Sequence, residues 1–367
     1  MTPLHIQSLG ALALLLLLVE PHSPSTTKAA IERVATLRTP RAAHTATTLP
    51  SGHVLFVGGM VSGGSSGATA ELFDPTTNSV EAVASLAESR AGHTATQLPN
   101  GKVLVAGGYN GDYVASIELF DPSTRRFTPA GSMTEARSGH TATLLPDGRV
   151  LFVGGVGTGW TFLRSAEIYD ASLGTSQPVG SMSAPRESHT ATLLVDGRVL
   201  IVGGHSGRRQ NMIVYTSAEA FSPETRRFSA AGELAIARHK HDAVRLKDGR
   251  VLIVAGADRT DRNHFNTTEI YDPKAATFEN GPSMANRRYK IAGTTVLLPN
   301  GDVLVTSGGP NAEIFSSASK TFAAVPGRFP AAYRFAAATA LKGGDVIIAG
   351  GYSDANANTD GIWRFRP

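Results

Sequence analysis

The chain has 367 residues, 34 Lys plus Arg against 30 Asp plus Glu, a formal net charge of +4, 39 glycines and no cysteine. The missing cysteine excludes a disulfide framework and a lipid-modified N-terminal cysteine; the mildly basic balance by itself says little about partners, and basic residues interspersed with few aromatics argue against nucleic acid. A hydrophobic share of 41% supplies a large core, and the glycine excess suits many tight turns.

The first 30 residues differ in kind from the rest. Residues 9–19 form an eleven-residue apolar run, LGALALLLLLV, followed by PHSPSTTKAA. The run is too short to cross a bilayer comfortably and fits the hydrophobic region of a secretory signal, although no Lys or Arg precedes it. The expectation is a signal peptide or disordered N-terminus over 1–30, a secreted or periplasmic location and no stable membrane insertion.

From residue 31 onward one phrase recurs. Full copies begin at Arg41, Arg90, Arg137, Arg186 and Arg238; the third reads RSGHTATLLPDGRVLFVGG. Two weaker copies end at Gly308-Gly309 and Gly350-Gly351. Taking the first residue of each closing pair at 58, 107, 154, 203, 255, 308 and 350, the spacings are 49, 47, 49, 52, 53 and 42, so there are seven units. In the third unit, alternation from His140 to Leu145 predicts an inner strand. Pro-Asp-Gly-Arg predicts a hairpin turn, and the apolar run at 150–153 predicts a buried second strand that stops at Gly154-Gly155. After a loop of variable length, AEIYD at 166–170 predicts a third strand, and the Asp-Pro of its counterparts turns the chain into a fourth. Four short strands in each unit define the blade of a β-propeller, so the reading is all-β with seven blades over 31–367.

The apolar run, the Gly-Gly pair, the variable loop and then Glu-Leu/Ile-Phe/Tyr-Asp-Pro resemble the kelch repeat across nearly the whole chain after residue 30. Seven such repeats resemble the central propeller of the galactose oxidase family. One departure is aromatic: Phe127, Phe228, Phe278 and Phe322 stand where that family carries tryptophan in the fourth strand. The resemblance implies fold more than function, because kelch propellers include enzymes, receptors and scaffolds. That family's copper-radical oxidation depends on a tyrosine cross-linked to cysteine, so a chain without cysteine argues against it.

Ring closure is readable from offsets. Leu37 to His44 and Met133 to His140 are both seven residues, which makes IERVATL at 31–37 a fourth strand without its first three. GIWRF at 361–365 fits a third strand with no fourth after it. The N-terminal strand is therefore expected to complete blade seven.

Repeated polar residues receive a structural assignment. His44, His93, His140, His189 and His241 fall at one position of five blades, but blades stack about 10 Å apart, too far for equivalent side chains to share an ion at about 2.1 Å. No metal and no cofactor are expected. Arg41, Arg90, Arg137, Arg186 and Arg238, with Glu71, Glu118, Glu167, Glu219, Glu269 and Glu313, are assigned to bonds that tie neighbouring blades.

The departures from the repeat carry the functional reading. Loops between strands two and three, and loops from strand four into the next blade, emerge on one face. In blades four to seven they hold Arg208, Arg209, His239, Lys240, Asp258, Arg259, Arg262, His264, Arg287, Arg288, Tyr289, Lys290, Tyr333 and Arg334 as candidate ligand-binding residues. His205, Asp261 and Phe265 accompany them. A cluster of this kind suits an anionic ligand, guanidinium forks meeting carboxylates and aromatic rings offering a stacking surface. No nucleophile elbow, His-Glu-x-x-His, phosphate loop or nucleotide fingerprint occurs. Binding of a glycan or protein ligand by a monomer is therefore favoured over catalysis. The alternative is a cofactor-free carbohydrate enzyme, an epimerase or lyase, with Asp242, Asp258, His239 and His264 as its candidate groups.

Overall fold

The computed structural model describes residues 29–367, so the apolar run at 9–19 lies outside the described residues. Seven four-stranded antiparallel sheets follow one another around an axis. Six run in chain order; the seventh has the order Ala30–Thr36, Gly361–Arg366, Val346–Ala349, Ala337–Ala340. The N-terminal strand pairs with the C-terminal one from Ala30 opposite Arg366 to Thr36 opposite Gly361, so the two ends close the ring within one sheet, as the offsets predict.

Local composition explains each layer. The second strands, such as VLFV at Val54–Val57 and VLIV at Val251–Val254, are buried along their whole length because a neighbouring blade covers each face. The core therefore lies between blades: Leu55 and Leu72 of blade one pack with Val103, Val105 and Phe120 of blade two. Thr, Ala and Gly on the inner strands suit the crowded axis, where they line a channel of about 420 Å³. The Gly-Gly signature is a backbone requirement. Gly154 has φ +64, and a Cβ there would come 2.6 Å from the carbonyl oxygen of Arg186 in the next blade.

Two polar devices repeat around the ring. In blades one to six a buried arginine pairs with a buried glutamate at 2.6–2.9 Å: Arg41–Glu71, Arg90–Glu118, Arg137–Glu167, Arg186–Glu219, Arg238–Glu269 and Arg288–Glu313. Each pair joins two parts of one blade rather than two blades, a correction to the expectation. The tie to the preceding blade comes from the glutamate, which also accepts backbone N–H groups of the incoming linker, as Glu71 does from Arg38 and Thr39. The second device does bridge blades. Nε2 of His93, His140, His189 and His241 lies 3.0–3.2 Å from the threonine hydroxyl of the preceding inner strand. Desolvation and the nearby arginines push these histidines far down, His93 and His189 to about 3, so they are neutral.

Blades five to seven modify both devices. Blade six has Ile291 in place of histidine, and blade five offers Asp242 in place of threonine. Asp242 reaches across and accepts the N–H groups of Thr294 and Thr295 at 2.9 and 2.8 Å. Burial pushes its carboxyl up to about 6. The closing pair of blade six is Ser307-Gly308, one residue earlier than the sequence spacing suggests: Arg288 Nη1 donates to the Ser307 carbonyl as Arg41 does to that of Gly58. In blade seven Tyr333 takes the arginine position and Trp363 the glutamate position, and their rings pack 5.3 Å apart. An aromatic contact replaces the ion pair.

Candidate functional site

The site is built on the two residues between the repeat arginine and the histidine position. The first pairs with the loop after strand two: Ala42 with Met60, Ala91 with Tyr109, Ser138 with Val156, Glu187 with His205, His239 with Ala257 and Arg334 with Tyr352. The second adopts φ of +50 to +63 in all seven blades: Ala43, Gly92, Gly139, Ser188, Lys240, Lys290 and Phe335. These seven residues form a hoop around the channel mouth. Six links each run from one residue's N–H to the carbonyl of its counterpart in the preceding blade, at 2.9–3.2 Å, including Ala43 to Phe335 across the closure.

What the hoop carries is uneven. Blades one to three present only Ala42-Ala43, Ala91-Gly92 and Ser138-Gly139. Blades four to seven present Glu187-Ser188, His239-Lys240, Tyr289-Lys290 and Arg334-Phe335. The mouth is a recess floored by small residues on one side and a polar, aromatic crescent on the other.

Blades four and five meet in a titratable cluster. His239 Nδ1 faces His205 Nδ1 at 3.0 Å, and His239 Nε2 lies 3.1 Å from both the Asp258 carbonyl and Asp261 Oδ1. Lys240 Nζ donates to Asp261 Oδ2 at 2.6 Å. His205 Nε2 is 3.5 Å from Glu187 Oε2, and Arg208 Nη2 is 3.7 Å from the same oxygen. Desolvation raises Glu187, an effect that Arg208 and Lys240 oppose. Desolvation opposes ionisation of Asp261 as well, but hydrogen bonds from His239 and Lys240 overcome it and hold Asp261 well below the carboxylate range. Desolvation, with His239 and Lys240 adding to it, pushes His205 down to about 3. Burial also lowers Lys240.

Blades six and seven add aromatic and cationic groups. His264 stacks on Tyr289 at 3.7 Å, and the Arg334 guanidinium lies 4.8 Å from the same ring. Lys290 Nζ donates to Tyr352 Oη at 2.5 Å and sits 5.2–5.4 Å from the rings of Tyr289, Phe335 and Tyr352. Beside them a groove of about 670 Å³ runs between blades seven and one, lined by Pro40, Met60, Val61, Phe335 and Tyr352 among others.

The structure brings His239, Lys240, His264, Tyr289, Lys290, Arg334 and Arg208 to this mouth. Arg288 and Tyr333 do not belong with them. Arg288 is wholly buried in its ion pair with Glu313, and Tyr333 packs into the blade-seven core, because both occupy the structural arginine position. Arg288 therefore belongs to the frame of its blade and not with the candidate ligand-binding residues among which the sequence placed it. Arg209, Arg259 and Arg262 are exposed, Asp258 caps its own loop through Thr260, and Arg287 donates to Asn263 and the His264 carbonyl. Sequence reasoning missed Glu187, Phe335, Tyr352 and the aromatic group Tyr109, Tyr113 and Trp160, in which Trp160 is 55% exposed and Arg208 lies 4.2 Å over its ring. Aligning the seven units and reading the two positions after the arginine would have found Glu187 and Phe335. Among the described residues no group of three or more His, Asp or Glu is placed to hold a metal ion, and no helix is long and apolar enough to cross a membrane.

A closed seven-bladed ring, Gly-Gly blade ends and variable loops gathered at one mouth define a kelch-type propeller. Residues 92–309 match the model of the KLHDC2/KLHL20/DRC7 Kelch-repeats domain, which is more than half the chain, and the chain belongs to the kelch-repeat family. Among solved structures it is similar to a fungal alcohol oxidase of the AA5 family, described in complex with copper. The TM-score is 0.70 and the identity 15%, over 92% of this chain and 75% of that one. At that identity the likeness is one of fold. No curated protein matches the chain.

Proposed function

We propose that this propeller is an exported binding module whose uneven mouth captures an anionic ligand, a glycan or a carboxylate-bearing protein segment. The carrying observation is the distribution around the hoop: small residues in three consecutive blades, then Glu187, Lys240, Tyr289, Lys290, Arg334 and Phe335 in the next four. A structural requirement of the fold would act on all seven blades alike, whereas a ligand contacts one side. Lys290 and Arg334 stand among aromatic rings, an arrangement that favours a ligand with a flat apolar face and carboxylates on its edge. Each charge-assisted contact is worth about 1.5–3 kcal/mol. The apolar run at 9–19 supports a secreted or periplasmic setting.

A second reading, a cofactor-free epimerase or lyase, draws on the two carboxylates, Glu187 and Asp261, whose surroundings push them in opposite directions. Calorimetry with oligogalacturonate and with a neutral oligosaccharide of equal length tests the first. The expected result is binding of the acidic probe alone, abolished in the Lys290→Ala/Arg334→Ala double variant with little change in melting temperature. Undiminished binding by the double variant overturns the placement of the site.

A further inference from the structure

The Glu187–His205–His239–Asp261 chain has a direction fixed by its geometry. His239 Nε2 lies 3.1 Å from two oxygen acceptors, the Asp258 carbonyl and Asp261 Oδ1, so this nitrogen carries a proton. With that proton on Nε2, His239 Nδ1 is assigned as the acceptor of its contact at 3.0 Å and His205 Nδ1 as the donor. His205 is 3% exposed, and desolvation, with His239 and Lys240 adding to it, keeps it neutral with a single ring proton. Neutral His205 is left with a lone pair on Nε2, and Glu187 Oε2 lies 3.5 Å from that nitrogen.

That arrangement suits one form of Glu187 better than the other. A protonated carboxyl finds a ready acceptor in His205 Nε2, whereas an ionised one sets an oxygen lone pair against a nitrogen lone pair. Two cations pull the opposite way: Arg208 Nη2 at 3.7 Å from the same oxygen, and Lys240 nearby. The further groups facing the cluster are Asp261, which offsets Lys240, Lys290 beyond Lys240, and Tyr113 beside Arg208 and Glu187. Burial biases Glu187 toward the neutral form and keeps His205 neutral, in agreement with the geometry. The carboxyl also lies against the hoop, since a Cβ on Gly139 would come 2.8 Å from Glu187 Oε1.

We propose that Glu187 is a proton-operated latch on the mouth: ionised, it holds Arg208 over Trp160, and protonated, it turns its hydrogen bond to His205 and releases that arginine to the ligand. The inference rests on the proposed anion-binding role of this face, and adds that an acidic environment strengthens capture by adding positive charge. The proton enters from solvent and resides on Glu187; the imidazoles fix which nitrogen accepts its hydrogen bond.

Trp160 reports the latch without any ligand, because the chain has two tryptophans and the other, Trp363, is 2% exposed. Trp160 emission should follow a single titration from neutral to mildly acidic pH in the wild type. Glu187→Gln should abolish that titration, and Trp160→Phe should leave a flat signal from Trp363, showing that the fold is intact throughout. A flat wild-type titration, or one that survives in Glu187→Gln, overturns the latch while leaving anion binding standing. Loss of oligogalacturonate binding with the titration intact would overturn the binding role instead. Where Glu187→Gln fails to fold, Arg208→Gln serves: the latch requires that Trp160 emission lose its pH dependence there too.

Discussion

Blades one to three and blades four to six are held by the same internal frame and part company only where that frame reaches the channel mouth. Arg137 and Arg238 make the same set of bonds, to the end of strand two and to a buried glutamate at 2.8 Å. The two residues that follow are Ser138-Gly139 in one and His239-Lys240 in the other. The frame fixes the backbone so completely that its neighbours in sequence are free to vary, so the constant frame and the variable mouth are separated by a single peptide bond.

The comparison breaks if the frame is worth different amounts in the two halves. Arg137→Met and Arg238→Met should each cost about 3–5 kcal/mol in chemical denaturation, because either leaves a buried glutamate without its partner. A large cost in one and a negligible cost in the other would mean that the halves do not share a frame.

Acid unfolding sharpens it next. The bridging histidines are neutral and depressed in the folded protein, His93 and His189 to about 3, against about 6.5 when unfolded. Below the unfolded value the unfolded chain binds more protons, so their stabilisation is present above about pH 6.5 and is lost as pH falls toward the folded values. Asp242 has the opposite sign: raised to about 6, its contribution is full below the ordinary carboxylate range and lost as pH rises through about 6. Several histidines against the two raised carboxylates, Asp242 and Glu187, decide the outcome. The melting temperature should fall steadily on acidification below about pH 6.5, and a rise would contradict the bridging role.

The smallest effect concerns the mouth. Lys290 holds φ +56, which costs an ordinary residue about 1–2 kcal/mol and glycine almost nothing. Lys290→Gly should therefore leave stability unchanged or raise it slightly, while weakening oligogalacturonate binding at least about tenfold, the value of one charge-assisted contact. A marked drop in melting temperature would show that this lysine belongs to the frame.

Much of the fold was legible because its signals are local. An apolar run bounded by a Pro-Asp-Gly hairpin and a Gly-Gly pair needs no knowledge of distant residues, and the seven-residue offset alone exposed the closing strand. Legibility failed where partners change together. In RRYKIAG the histidine is gone and the closing pair slips to Ser307-Gly308, so Arg288 looked like a loop residue although it sits in the frame. In blade seven both members of the ion pair are aromatic, and neither Tyr333 nor Trp363 retains a trace of the pattern. At the mouth, His239, Lys240 and Lys290 stood out as misfits in the repeat. Glu187 did not, because RESH reads as one more copy, and its importance comes from His205 and Arg208, eighteen and twenty-one residues away.

The hoop of left-handed residues has a consequence for how such a protein changes. Its links run from main-chain N–H to main-chain carbonyl, and the Ser138 hydroxyl adds a further donor to the Gly92 carbonyl. Each of the seven positions is thus a socket on a rim whose main chain is held by main-chain bonds. Ala43 already carries a Cβ at φ +50, so a single-codon change there would furnish the bare half with new chemistry, whereas a Cβ at Gly92 or Gly139 would come 2.8 Å from Ser138 Oγ or Glu187 Oε1 and needs that neighbour to move. A combinatorial library confined to these sockets is a compact route to ring-shaped receptors for other ligands.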